Sequence, residues 1–254
     1  MADTPAGGYR LTLLGGWKIT RNVVAVQMPA SAQRLVAFVS LNDHVSRTYV
    51  AGTLWPEVTD QHAQGSLRST IWRVSRLCPD LLVSSGETLA VADDVVVDVR
   101  ELRGLFAELL SATRSARAGT PDDPSRTVDV GSLPDWLWGD LLPGWYDDWV
   151  LLERERLRQM RVHALEAMTR NLADHGRFAE ALEVGMVAVG VAPLRESAHR
   201  EVIRIHLAEG NLAEALRQFE VCAQLLRQDL GLEPSELMID LMRPVIDGSR
   251  AGQP

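Results

Sequence analysis

The sequence is short of several things that would fix its chemistry at once. It holds one lysine, Lys18, so its positive charge is carried almost wholly by arginine. Genomic base composition alone can produce that bias. It has two cysteines, Cys78 and Cys222, far apart, each in an apolar helical pattern and with no second ligand nearby. That pattern argues against a disulfide or thiolate metal site and predicts buried free thiols. The longest apolar or small stretch, "VGMVAVGVAPL" (184–194), is too short to span a bilayer and is broken by glycine. The opening "MADTPAGGYR" lacks a basic region and an apolar core, so no signal peptide is expected there. No membrane partner is expected, and a cytosolic protein is the default. Catalytic signatures are missing too: there is no HExxH, no Cys/His cluster, no GxSxG and no phosphate loop. "GMVAVG" (185–190) mimics phosphate-loop spacing inside an apolar helix but lacks the lysine. His163, His175, His199 and His206 are scattered along helical patterns, where packing is their usual fate. The sequence therefore predicts no enzyme, no cofactor and no metal.

What is present is ordinary in bulk and uneven in detail. At 254 residues, 46% hydrophobic and 24% charged, the chain has material for two globular domains. Residues 1–97 hold eight basic and eight acidic residues, whereas 98–254 hold eighteen basic and twenty-six acidic. The later part repels nucleic acid, so any duplex must be met by a local patch on the first.

That patch is "AQGSLRSTIWRVSRLC" (63–78), with three arginines and no acid. On a helical wheel centred on Leu67, Ala63, Ile71, Val74 and Cys78 fall within about 40° and form a stripe to bury. Gly65, Ser69, Trp72 and Arg76 point the opposite way, flanked by Arg68 and Arg73.

The surroundings give this helix a role. "YRLTLLGGWKI" reads as a hairpin turning at Gly15-Gly16, and "NVVAVQM" (22–28) as a third short strand. From Ala32 the period becomes helical through Leu35, Val36, Phe38, Val39 and Leu41. Ser46 is a plausible N-cap for a second helix, which Pro56 stops. Asp60 can cap the third. "LLVSSGETLAVA" then forms a tight hairpin around Ser85-Gly86. A helix–turn–helix followed by a β-hairpin is a winged helix, whose last helix suits the major groove. Candidate DNA-binding residues are Arg47 and Thr48 at the start of the second helix, where a phosphate is favoured. On the third helix they are Ser66, Arg68, Ser69, Trp72, Arg73 and Arg76. Trp72 can press on a thymine methyl or a sugar, or pack on the wing or a neighbouring protomer.

From Asp98 the chain turns helical. "DVRELRGLFAELLSA" is a helix, and residues 113–132 are expected to form a loop. Trp136, Trp138, Trp145 and Trp149 alternate with Asp135, Asp140, Asp147 and Asp148, a composition seen in acidic activation segments. Yet "LLPGWYDDW" leads into a strong helix from about Trp149 to His175, so its aromatics are expected to bury against the repeat that follows. "ERERLRQMR" is expected to be that helix's solvated first part. The repeat pairs "GRFAEAL" (176–182) with "GNLAEAL" (210–216), offset by 34 residues. That is the period of helix–turn–helix tetratricopeptide repeats. Gly176 and Gly210 turn the chain, Ala181 and Ala215 permit close approach, and Leu182 and Leu216 fill the seam.

Taken in order, "LWPE" (54–57), "SLRSTIWRVSRL" (66–77), "LLPGWYDDWVLLERERL" (141–157) and "DLGLEPSEL" (229–237) resemble the Streptomyces antibiotic regulatory protein family over nearly the whole chain. The resemblance is to its short, stand-alone members. It implies a mainly α fold with a small β component: an OmpR-type winged helix-turn-helix domain over 9–97, then an α-helical tetratricopeptide-repeat-like activation domain over 98–248. It implies binding to direct repeats of double-stranded promoter DNA as a side-by-side homodimer. It also implies contact with RNA polymerase, including its sigma and alpha subunits, activation of antibiotic or other secondary-metabolite genes, and a nucleoid-associated location in the cytoplasm. Arg68, Arg73 and Arg76 match the family's basic recognition-helix positions, whereas Trp72 sits where more variation is expected. The rival reading is a tetratricopeptide-type interaction scaffold with weak or no specific DNA binding. A repressor would use the same winged helix.

Overall fold

The computed structural model describes residues 8–117 and 139–251, which fall into two compact units: 8–105 with 139–155, and 106–117 with 156–251. The fold is mainly α with a small β component, as the sequence predicts.

The first unit opens with β1 (Tyr9–Thr12), β2 (Lys18–Arg21) and β3 (Val24–Ala25). Gly15 and Gly16 make the predicted turn, at φ of 77° and 147°. Then come α1 (Ala30–Leu41), β4 (Val45–Ser46), α2 (Arg47–Leu54), α3 (Asp60–Leu77), the hairpin β5 (Leu82–Ser85) and β6 (Thr88–Val91), and β7 (Val96–Val97). β7 pairs in parallel with β1, giving a sheet of order β3-β2-β1-β7, while β4 joins the hairpin as β4-β6-β5. α1 is central: Leu35, Val36, Ala37 and Val39 are all fully buried, so it is apolar nearly all round. The Ser46 hydroxyl caps α2 by accepting from the Tyr49 N–H, as predicted. Asp60 does not cap α3. It is the first helical residue, after Thr59, and its carboxylate favours the positive end of the helix dipole.

The unit extends past residue 97. α4 (Asp98–Arg117) begins with a buried carboxylate whose Oδ2 accepts the N–H groups of Leu13 and Leu14, both at 2.8 Å. The expected loop over 113–132 is therefore helical to Arg117, and its remainder lies outside the described residues, as do Asp135, Trp136 and Trp138. At residue 139 the chain is back beside the first sheet. Gly15 N–H donates to Asp140 O and Leu142 N–H to Leu13 O, both at 2.8 Å. A Cβ on Gly139 would come within 2.7 Å of the Gly15 nitrogen, so only glycine fits this approach.

The segment leads into α5 (Asp148–Asp174) and corrects two expectations. Its tryptophans pack within the first unit and not against the repeat, while Tyr146 is exposed. Trp149 meets Phe38 of α1 edge-on at 5.3 Å, and Trp145 stacks on Trp17 at 6.2 Å. Arg34 of α1 pairs with Asp147. The start of "ERERLRQMR" is not solvated either. Glu153 is buried and pairs with Arg103 at 3.0 Å. The Arg154 guanidinium donates to the carbonyls of Leu141, Leu142 and Trp145. Local sequence marked the tryptophans for burial and the charged residues for solvent, but carried no information about the surface that covers Trp149 and Glu153.

In the second unit, α6 (Phe178–Val191), α7 (Glu196–Ala208), α8 (Leu212–Leu230) and α9 (Glu236–Ala251) follow. The 34-residue repeat is present in the hydrogen bonds. Arg177 N–H donates to Leu172 O and Gly176 N–H to Ala173 O; Asn211 and Gly210 make the same bonds to His206 and Leu207. Gly176 and Gly210 are both left-handed, at φ of 73° and 77°, a helix end that glycine permits without strain. Ala181 and Ala215 are fully buried, while Leu182 and Leu216 are half-buried. Gly185, part of the apparent phosphate-loop spacing, instead admits Val202 and Thr169, which would lie 3.0 and 3.3 Å from a Cβ there. His199 is buried between the Pro193 carbonyl and the Gln218 amide. Both cysteines are buried free thiols, and burial pushes Cys222 up to about 11. Among the described residues, no helix is long and apolar enough to cross a membrane.

Two tests follow from the packing of the first unit. Burial pushes the Asp98 carboxyl up from 3.8 to about 6, against the pull of the N–H groups of Leu14, Leu13 and Val99. Between those values the folded state holds a proton that the unfolded state has lost, so this group's contribution to stability falls as pH rises through that window. Urea unfolding of wild type and Asp98→Asn across pH 4 to 7 is expected to show the wild type losing ground to the variant as pH rises; parallel curves would contradict the assignment. Trp149→Ala is expected to cost about 3–5 kcal/mol in the same assay by emptying the site against Phe38.

Candidate nucleic-acid interface

The face that α3 offers is defined by what its other face buries. Ala63, Leu67, Thr70, Val74 and the following Cys78 are all buried, whereas Arg68, Ser69, Trp72, Arg73 and Arg76 are exposed. The observed stripe is rotated slightly from the wheel. Thr70 replaces Ile71 among the buried residues, and Ile71 is half-buried. Thr70 tolerates burial because its hydroxyl donates to the Ser66 carbonyl at 2.8 Å, which meets its polar requirement inside the helix.

The exposed face is graded along the helix. Its N-terminal half carries the small residues Gly65, Ser66 and Ser69 beside the exposed Arg68; a Cβ on Gly65 would meet only the tip of Arg68, at 3.9 Å. Ser69 donates to the Gly65 carbonyl at 3.0 Å, so its oxygen lone pairs remain for an outside donor. Its C-terminal half carries the bulk. Trp72 is 61% exposed, and the Arg76 guanidinium lies over its ring, 5.0 Å from the centroid. This contact bears on the open question about Trp72: within the chain, its partner is Arg76.

The three arginines therefore stand in different states. Arg68 is exposed with no ion pair or hydrogen bond among the described residues. Arg73 reaches the Ser31 hydroxyl at the start of α1, at 3.4 Å. Arg76 rests on Trp72. All three keep donors for a phosphate or a base edge.

The start of α2 adds a second group. Arg47 donates to the Ser84 hydroxyl on β5 at 2.7 Å, and its N–H to the Glu87 carbonyl at 2.8 Å. It thus ties the wing hairpin to the helix–turn–helix while staying half-exposed, and Thr48 beside it is exposed. The structure brings Arg47 and Thr48 onto one element and the other six candidates onto another, in the order of a winged helix. Sequence reasoning missed Ser31 and Ser84, the hydroxyls that hold Arg73 and Arg47. Their only signal was composition, since each partner lies roughly forty residues away.

Residues 98–245 match the family described as bacterial transcriptional activator domain. The chain is 27% identical over 258 residues to the regulatory protein AfsR of Streptomyces coelicolor, covering 98% of this chain and 25% of AfsR. It is 27% identical over 250 residues to AfsR of Streptomyces griseus, covering 95% and 25%. The chain thus spans a quarter of the length of these curated relatives. A solved structure of Mycobacterium tuberculosis EmbR in complex with a low-affinity phosphopeptide matches with a TM-score of 0.75 at 17% identity, over 94% of this chain and 65% of that one. That is a likeness of fold.

The grading of the face predicts unequal losses. Arg68→Ala is expected to weaken binding to a specific site by about 1–3 kcal/mol and to relax selectivity at one base pair, measured by gel shift against a site mutated position by position. Equal weakening on every sequence would instead place Arg68 on the phosphate backbone.

Proposed function

We infer the function of this chain from one premise: it belongs to the bacterial transcriptional activator domain family. It is a transcriptional regulator of the activator kind, and we propose that it works by sequence-specific binding to promoter DNA. The observation that carries this reading is the helix α3, buried along one side and presenting an acid-free arginine face on the other. In the proposed complex that face enters the major groove, with Arg68 and Arg73 as base readers. Arg47, Thr48 and the N-terminus of α2 meet phosphates on the flank. Residues 9–97 are the proposed reading domain, supported by 139–155, and residues 98–248 the proposed activation domain.

The finer assignments extend the same reading. The site is a set of direct repeats near a promoter, occupied by two protomers side by side. The recruited partner is RNA polymerase through its sigma and alpha subunits. The controlled genes are a secondary-metabolite cluster, and the protein acts in the cytoplasm on the nucleoid. The acidic balance of residues 98–254 supports a division of labour, because that part repels the duplex and is left for protein contacts.

Footprinting on the promoters beside its own gene tests the proposal. The expected result is two adjacent protected repeats on one face of the duplex. The logarithm of affinity should fall linearly with the logarithm of salt, by roughly 0.9 in slope for each phosphate met. Transcription in vitro with purified polymerase should rise on adding the protein; a fall would make it a repressor. Binding that ignores sequence would favour the interaction scaffold.

A further inference from the structure

A cleft of about 400 Å³ lies in the second unit among α5, α6 and α7, away from the arginine face of α3 in sequence and element. Ala173, Phe178, Ile205 and Ala208 give it apolar walls, and Arg170, Glu201 and Arg204 line it with charge. The Glu201 carboxylate is buried, and two guanidinium groups share it: Arg204 at 2.9 Å and Arg170 at 3.6 Å. One carboxylate cannot satisfy both forks, so the triad keeps a net positive charge and unused donors. Nε of Arg170 is buried and has no hydrogen-bond partner among the described residues. Asp174, exposed, also lines the cleft and offsets that charge, so a ligand carboxylate would be held by the guanidinium forks and not by the charge of the cleft as a whole.

We propose that this cleft binds a small amphipathic carboxylate: one carboxylate for the Arg170–Glu201–Arg204 triad and an aromatic or aliphatic body for the wall of Phe178 and Ile205. The volume falls within the range of small-molecule sites and holds a ligand of modest size. Planar guanidinium forks match a carboxylate better than a neutral amide. The proposal does not depend on the DNA-binding reading, since every lining residue belongs to the second unit.

The test is calorimetric titration of the full chain with 4-phenylbutyrate and with its neutral amide. Wild type is expected to bind the acid and to bind the amide about tenfold more weakly or worse, a difference of about 1.4 kcal/mol. Arg204→Gln, at an exposed position, should weaken the acid about tenfold and leave the amide unchanged. Ala208→Trp, which fills the cleft from its rim, should abolish both. Circular dichroism melts of each variant confirm that it is folded. Equal binding of acid and amide, no binding of either to wild type, or unchanged binding by both variants overturns the proposal. So does binding only of a hexapeptide ending in glutamate and phenylalanine, which would make the cleft a peptide site.

Discussion

The arginine face of α3 exists because the opposite face has nowhere to go but inward. Leu67 and Val74 are fully buried, and a helix with two such residues on one side is held in rotation about its own axis. Burying each contributes roughly 1.5–3 kcal/mol, far more than any single exposed arginine contributes to folding. The position of every guanidinium on the outer side is thus set by apolar residues that never meet a ligand. The surface is free to be chosen for recognition, since stability is settled beneath it.

That rotation is only as firm as what α3 rests on. α1 lies beneath it, apolar nearly all round, and is gripped from beyond the winged helix by Trp149 and Asp147. The Arg154 guanidinium in turn closes the loop that carries them, through three carbonyls. Asp98 ties the start of α4 to the end of the first strand. A change near residue 149 therefore bears on α3 through packing, without touching its exposed face.

How much of this was legible follows from the range of each interaction. Helix α2 was readable from Ser46 and Pro56, and the hairpins from Gly15, Gly16 and Gly86, because the signals sit within a few residues of their effect. The 34-residue repeat was readable because each turn is closed by bonds reaching no more than five residues back. β4 and β7 were not: each has two residues, too few for a period, and each exists only by pairing with a distant strand. The Trp149 contact with Phe38 was hidden for the same reason. Its helix announced that an aromatic would be covered, and the covering surface lies over a hundred residues away in sequence. Within the site, the exposed arginines were readable from the wheel, but not the hydroxyls that hold two of the candidates, Ser31 for Arg73 and Ser84 for Arg47.

Those states differ in how much order each guanidinium already has. A guanidinium with no partner is free to adopt the geometry a base edge demands, but it loses its rotamer freedom on binding. One that rests on an indole ring, like Arg76, has already given up part of that freedom and lies close to a fixed position. The gradient along α3, from half-buried Gly65 through unpaired Arg68 to stacked Trp72 and Arg76, therefore leaves the guanidinium groups of one face at different degrees of order.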